Sequence, residues 1–125
     1  MFIIDVLYIK DCIGKEKAVE NLNKALDVLN FDENEYFVNI KEITKEKEAK
    51  LWKLAGSPTV KVNGVDVEFG INNYGMFKRV YNGTQDAPDI ETIKHALRMD
   101  IRERARLIDE YQHQEIKPMK EPVCV

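Results

Sequence analysis

The stretch Gly56-Ser57-Pro58-Thr59-Val60-Lys61-Val62-Asn63-Gly64 leaves the chain little choice of local structure. A Lys/Glu-rich amphipathic segment stops at Gly56, which suits the left-handed residue that ends a helix. Pro58 then opens a β-branched run. Proline is tolerated at a strand's first position, where its missing N–H removes no ladder bond. Asn63-Gly64 is the strongest short-range signal for a two-residue hairpin turn, and Val65-Asp66-Val67-Glu68-Phe69 follows as the return strand. Helix, proline, strand, tight turn and strand are expected in that order.

The flanking segments extend the pattern. Phe2 to Ile9 is a nearly continuous apolar run, typical of a strand covered on both faces. Asp5 interrupts it and must find a donor, find water or keep its proton; a strand-end acid reaching solvent is the expectation. From Lys15 to Asn30, Ala18, Leu22, Ala25 and Leu29 recur at helical spacing. Glu35 to Ile43 reads as the second strand, so the opening is a right-handed βαβ crossover with parallel strands. Thr44 is the expected N-cap of a second helix, Glu46 adds charge to its first turn, and the helix is expected to run through Ala49, Trp52 and Leu54 to Gly56.

Gly70 to Met76 reads as a loop, and Phe77 to Tyr81 as a short strand or part of a longer loop. Asp89 is the expected N-cap of a last, long helix with Ile90, Ile93, Leu97, Ile101, Ala105 and Ile108 along one stripe. The far half of that helix would project an apolar edge around Ile101, Ile108 and Tyr111, which motivates an expectation of a homo-oligomer formed through it. The domain is expected over residues 1–112, with 113–125 a C-terminal tail of disordered composition.

A chain of 125 residues with 44 % hydrophobic content can fill one core. Its net charge of −3 and the absence of a dominant basic patch argue against nucleic-acid binding. Arg98, Arg102, Arg104 and Arg106 cluster, but Asp100, Glu103, Asp109 and Glu110 interleave with them as on a solvated helix face. No apolar run is long enough to cross a bilayer, and the first residues are expected to form a strand rather than a signal peptide. With two cysteines and no secretory leader, the expectation is a cytoplasmic protein with reduced thiols.

Chemistry concentrates at Lys10-Asp11-Cys12-Ile13-Gly14-Lys15, which joins the first strand to the first helix. A cysteine at a helix N-terminus meets the positive end of the dipole and unsatisfied N–H groups, which favour thiolate over thiol. Lys15 acts in the same sense and Asp11 against it. A half-buried cysteine packing as a small hydrophobe is the alternative. His95, His113, Cys12 and Cys124 show none of the close paired spacings of a zinc site. No phosphate-cradling glycine loop or hydrolase nucleophile motif is present.

Gly56 to Gly64, written Gly-Ser-Pro-Thr-Val-x-Val-x-Gly, resembles the loop before the third strand of thioredoxin-like proteins, where the proline is cis and faces the redox cysteine. Cys12 follows the first strand, where that fold puts its cysteine. Tyr74-Gly75-Met76-Phe77-Lys78-Arg79-Val80-Tyr81 is similar to the Tyr-Gly-x-x-Cys-Arg-x-Tyr stretch of small thioredoxin-like proteins that often carry an alkylmercury-lyase-like label. The likeness spans roughly residues 2 to 97 as an ordered set of short motifs.

The resemblance implies an α/β domain of thioredoxin-like order β-α-β-α-β-β-α, a mixed sheet flanked by helices. It places Cys12 and Pro58 at the catalytic positions, with Ser57, Thr59 and Lys15 at binding positions, and Pro58 and Thr59 as a shelf for the partner. In that fold the backbone around the cis-proline pairs with an extended substrate, much as a sheet edge captures a strand. Asp5, as a buried acid beneath the cysteine, would be a proton relay. No cofactor or metal is implied.

Two departures redirect the chemistry. A dithiol oxidoreductase has Cys-x-x-Cys, whose second thiol resolves the mixed disulfide; here the fourth position is Lys15. Where relatives often carry a cysteine before the arginine, this chain has Lys78. What remains is monothiol chemistry at Cys12: a mixed disulfide with glutathione or a protein, or sulfenic-acid sensing. Cys124 is either a resolving thiol brought back by the tail or a second free cysteine. The rival reading is a non-catalytic thioredoxin-fold module that binds a protein or itself. A lesser one is capture of a soft metal or organomercurial by the thiolate.

Overall fold

In the computed structural model, which describes residues 2–68 and 71–99, the first apolar run becomes strand β1, Phe2–Tyr8. Ile4 and Val6 point into one core and Leu7 into another, and all three are fully buried. Asp5 sits in the middle of this strand rather than at its end, which corrects the expected placement. It finds a donor instead: Asn39 Nδ2 reaches its Oδ1 at 3.1 Å.

Helix α1, Gly14–Val28, buries the stripe Ala18, Leu22, Ala25 and Leu26. It stops where Asn30 turns left-handed at φ 59°, and Phe31 N–H returns to the Leu26 carbonyl at 3.0 Å. A short 3-10 turn over Glu33–Glu35 then feeds strand β2, Tyr36–Glu42, which runs parallel to β1 from Phe2↔Tyr36 to Tyr8↔Glu42.

Helix α2 is shorter than expected, Glu46–Leu51. Its stop is not Gly56 but Lys53, left-handed at φ 55°, with Leu54 N–H bonded to the Ala49 carbonyl at 2.8 Å. The pair of backbone bonds available here outweighs the ordinary reluctance of lysine toward that conformation. The N-cap is Lys45 rather than Thr44. Glu48 reaches back to accept Thr44 N–H at 3.0 Å, which ties the incoming chain to the first turn, while no side chain caps the helix N–H groups.

Gly56 belongs instead to strand β3, Ala55–Ser57, where it holds φ 80°. A Cβ there would strike Phe77 at 2.6 Å and Arg79 at 2.8 Å. After Pro58 come strand β4, Thr59–Val62, and strand β5, Val65–Asp66. Asn63 and Gly64 at φ 52° and 81° make the hairpin turn. β5 ends at Asp66, short of the expected return strand, and Asp66 and Glu68 both bind the Arg79 guanidinium. Strand β6, Gly75–Lys78, takes Gly75 and Met76 out of the expected loop and pairs parallel with β3. Glu46 fixes its start by accepting Met76 N–H at 3.2 Å.

The main sheet has the order β2-β1-β4-β5, with β4 antiparallel to both β1 and β5. Helix α3, Ile90–Arg98, packs with α1 on one face of it, burying Ile93, Ala96 and Leu97. Asp89 caps α3 as expected, accepting Thr92 N–H at 2.8 Å. On the opposite face α2 closes a smaller core around Leu7, Ile43, Ala49 and Leu54. The chain is thus a mixed α/β fold with a mixed sheet and helices on both faces. The far stripe of the last helix, the 113–125 tail, His113 and Cys124 lie outside the described residues. No helix among the described residues is long and apolar enough to cross a membrane.

Candidate functional site

The site forms where the end of β1 meets the loop between β3 and β4. Beyond Tyr8 the chain turns through Lys10 and Asp11, with Asp11 left-handed at φ 60°. Cys12 follows, a free and half-buried thiol, with Ile13 at the N-cap position and Gly14 opening α1. Gly14 is where the helix start presses on its surroundings. A Cβ there would lie 1.9 Å from the Asp86 carbonyl oxygen and 3.0 Å from Pro58 Cδ. The backbone just beyond Cys12 therefore abuts the Pro58 ring.

The Ser57–Pro58 peptide bond is cis. Ser57 Oγ accepts Ile9 N–H at 2.9 Å, pinning the loop to the end of β1. The Ser57 carbonyl accepts Arg79 N–H at 3.1 Å, where β6 lies along β3. This one carbonyl of the backbone around Pro58, where an extended partner is expected to pair, is already bonded within the chain.

Thr59 does not form an open shelf. It is fully buried, donates to the Gly56 carbonyl at 2.6 Å, and accepts from Ala55 N–H at 3.1 Å and Arg79 Nη1 at 3.3 Å. The Lys15 ammonium lies 4.9 Å from the Tyr8 ring centroid and 3.5 Å from Glu16 Oε1.

Beneath the loop lies a cluster that sequence reading did not single out. Arg79, only 5 % exposed, grips Asp66 with both guanidinium arms at 2.7 and 2.9 Å and reaches Glu68 at 2.9 Å. Its guanidinium also lies 4.5 Å from the Tyr81 ring centroid. Burial works against the cation, but hydrogen bonds and charge from Asp66 outweigh it, and its pKa is raised. The Tyr81 hydroxyl donates to the Pro58 carbonyl. Burial, only partly offset by Arg79, raises the pKa of that phenol well above its ordinary value, so it stays a donor.

The Arg-x-Tyr pair stood in the sequence motif, but nothing local marks an arginine as buried. Lys61 was also hidden. Its ammonium donates to the Trp52 carbonyl at the end of α2, and burial lowers its pKa, with Asp66 and Asp5 opposing.

What opens to solvent is a cleft of about 100 Å³ whose walls include Cys12, Gly14, Ser57, Lys78 and Asp86. Lys78 and Asp86 form an ion pair of 3.5 Å on its rim. A wider groove of about 580 Å³ shares Ile13 and Asp86 with it and runs between α1 and the Thr84–Ile90 segment. Among the described residues, no group of three or more His, Cys, Asp or Glu side chains is placed to hold a metal ion. Comparison with known protein families, with curated proteins and with solved structures finds no match for the chain.

Proposed function

We propose that the chain is a thioredoxin-like module whose Cys12 carries out monothiol exchange with glutathione or a protein thiol. The observation that carries this reading is the shared cleft: Cys12 and Ser57 line it together, beside a cis proline whose ring touches the start of α1. The strand order β2-β1-β4-β5 supports the thioredoxin-like topology, with the β3–β6 ladder as an addition to it. A cleft of about 100 Å³ admits a side chain ending in sulfur and falls short of the usual ~300–1,000 Å³ of small-molecule pockets.

In the exchange the Cys12 thiolate attacks one sulfur of a disulfide. A bond forms from Cys12 Sγ, the partner S–S bond breaks, and the leaving sulfur departs with the electron pair and takes a proton from solvent. Lys15 occupies the position from which a neighbouring thiol would attack. A second glutathione must therefore come from outside, displacing Cys12 as thiolate and forming oxidised glutathione.

The occupied Ser57 carbonyl and the buried Thr59 hydroxyl favour a second reading, a non-catalytic interaction module. One measurement decides between them. Intact-mass analysis after incubation with oxidised glutathione is expected to show one reducible adduct that disappears in Cys12→Ser. No adduct, or an adduct that maps to Cys124 alone, rejects exchange at Cys12.

A further inference from the structure

β2 forms one rim of the four-stranded sheet, and among the described residues its ladder is the one with β1. That ladder settles which backbone groups face outward. Ile43 N–H donates to the Tyr8 carbonyl, so Lys41, Asn39 and Phe37, alternating back from it, turn their N–H and C=O toward β1. Tyr36, Val38, Ile40 and Glu42 turn theirs to the outer rim, where no strand among the described residues pairs with them. Rim strands ordinarily carry a proline, a bulge or a row of charges that blocks pairing with another chain. β2 has no proline, its register with β1 is unbroken, and Phe37 and Ile40 remain 58 % and 45 % exposed.

The strand is also complementary to itself. Laid antiparallel on a second copy about a twofold axis at Asn39, Val38 faces Ile40, Phe37 faces Lys41, and Tyr36 faces Glu42. In this register the outward residues, Val38 with Ile40 and Tyr36 with Glu42, are the ones that exchange backbone hydrogen bonds, as an antiparallel ladder requires. Apolar side chains meet apolar ones near the axis, the lysine stem covers the phenyl ring, and no like charges oppose each other. Exposed Ile3, the register partner of Phe37, continues the apolar strip on that face. Twofold association demands this kind of self-matching surface.

We propose that two copies of this chain join edge to edge through β2, making one continuous sheet across the twofold axis. The contact is independent of Cys12. A single strand of seven residues makes a small interface, so the dimer is expected to dissociate at concentrations on the order of micromolar.

The test is sedimentation velocity of the full chain across that range. The wild type is expected to shift from monomer to dimer, and Ile40→Lys, a change at an exposed site, to stay monomeric with unchanged circular dichroism. In a background of Cys12→Ser and Cys124→Ser, Asn39→Cys is expected to form a disulfide between copies under mild oxidation, whereas Val28→Cys is not. A wild-type monomer at every concentration overturns the proposal, as does an Ile40→Lys dimer as strong as the wild type. Equal crosslinking of the two cysteine variants also overturns it.

Discussion

Replacing Arg79 by methionine tests whether the buried cluster holds the Pro58 loop in place. The guanidinium leaves behind Asp66, whose side chain is 14 % exposed, and Glu68, at 30 %. Removing one partner of a buried ion pair costs about 3–5 kcal/mol, because the other charge is stranded. Glu68 can turn toward water, and methionine refills much of the stem's volume, so the lower end applies: about 3 kcal/mol. Asp66 keeps the Glu68 N–H and the charge of Lys61, so adding Asp66→Asn, which removes the carboxylate that has lost its guanidinium, is expected to return roughly 1–2 kcal/mol. Urea unfolding followed by fluorescence of the sole tryptophan, Trp52, reads both variants as shifts in midpoint at constant slope. A loss under about 1 kcal/mol for Arg79→Met, or a double variant no more stable than the single one, would refute the reasoning.

Gly14→Ala forces a methyl to within 1.9 Å of the Asp86 carbonyl. It is expected to destabilise by about 1–3 kcal/mol in urea and to change the rate of Cys12 labelling by iodoacetamide. Tyr81→Phe leaves the Pro58 carbonyl without its donor, at a cost of about 1–3 kcal/mol in thermal unfolding. The phenol's raised pKa gives stability that is full below the unfolded value of about 10 and declines as pH rises toward the folded one, so Tyr81→Phe should flatten that alkaline decline. Asp89→Ala removes the α3 cap and is expected to cost about 1 kcal/mol near neutral pH. The backbone N–H of Thr92 holds the Asp89 carboxyl below the usual range. Its contribution is therefore present above about pH 3.9 and lost as pH falls through the lower folded value, and wild type and variant should converge in acid.

How much was legible in the chain depended on the range of the forces involved. The α1 stripe, the Asn63-Gly64 turn and the Asp89 cap are decided within a few residues of themselves, and each occurs where the sequence places it. The end of α2 was misplaced because Gly56 carries the local signal for a stop. Lys53 takes that role through backbone bonds, with Leu54 then buried in the core against Leu7 and Ile43. β6 was legible only in its second half, Phe77 and Lys78, as a short strand or loop. Gly75 and Met76 read as loop because the partner strand, β3, lies some twenty residues back and has little apolar pattern. Cys12 and Ser57 could be brought together on paper only through the resemblance, since no local rule links a βα turn to a loop more than forty residues on.

The supports of the loop follow from an accounting that sequence patterns do not contain. The turn around Pro58 is buried, and a buried carbonyl without a donor is costly, so each one needs a partner. Gly56 O takes the Thr59 hydroxyl, Ser57 O takes Arg79 N–H, and Pro58 O takes the Tyr81 hydroxyl. Two of those three donors come from the short stretch after β6, which explains why β6 must lie against β3 at all. Arg79 and Tyr81 can enter that dry region only because Asp66 and Glu68 neutralise the guanidinium there. The hairpin carrying Asp66, the β6 stretch and the Pro58 loop therefore stand or fall together. Any variant that loosens this cluster should disturb the Cys12 cleft wall at Ser57 before it disturbs the distant α1–α3 core.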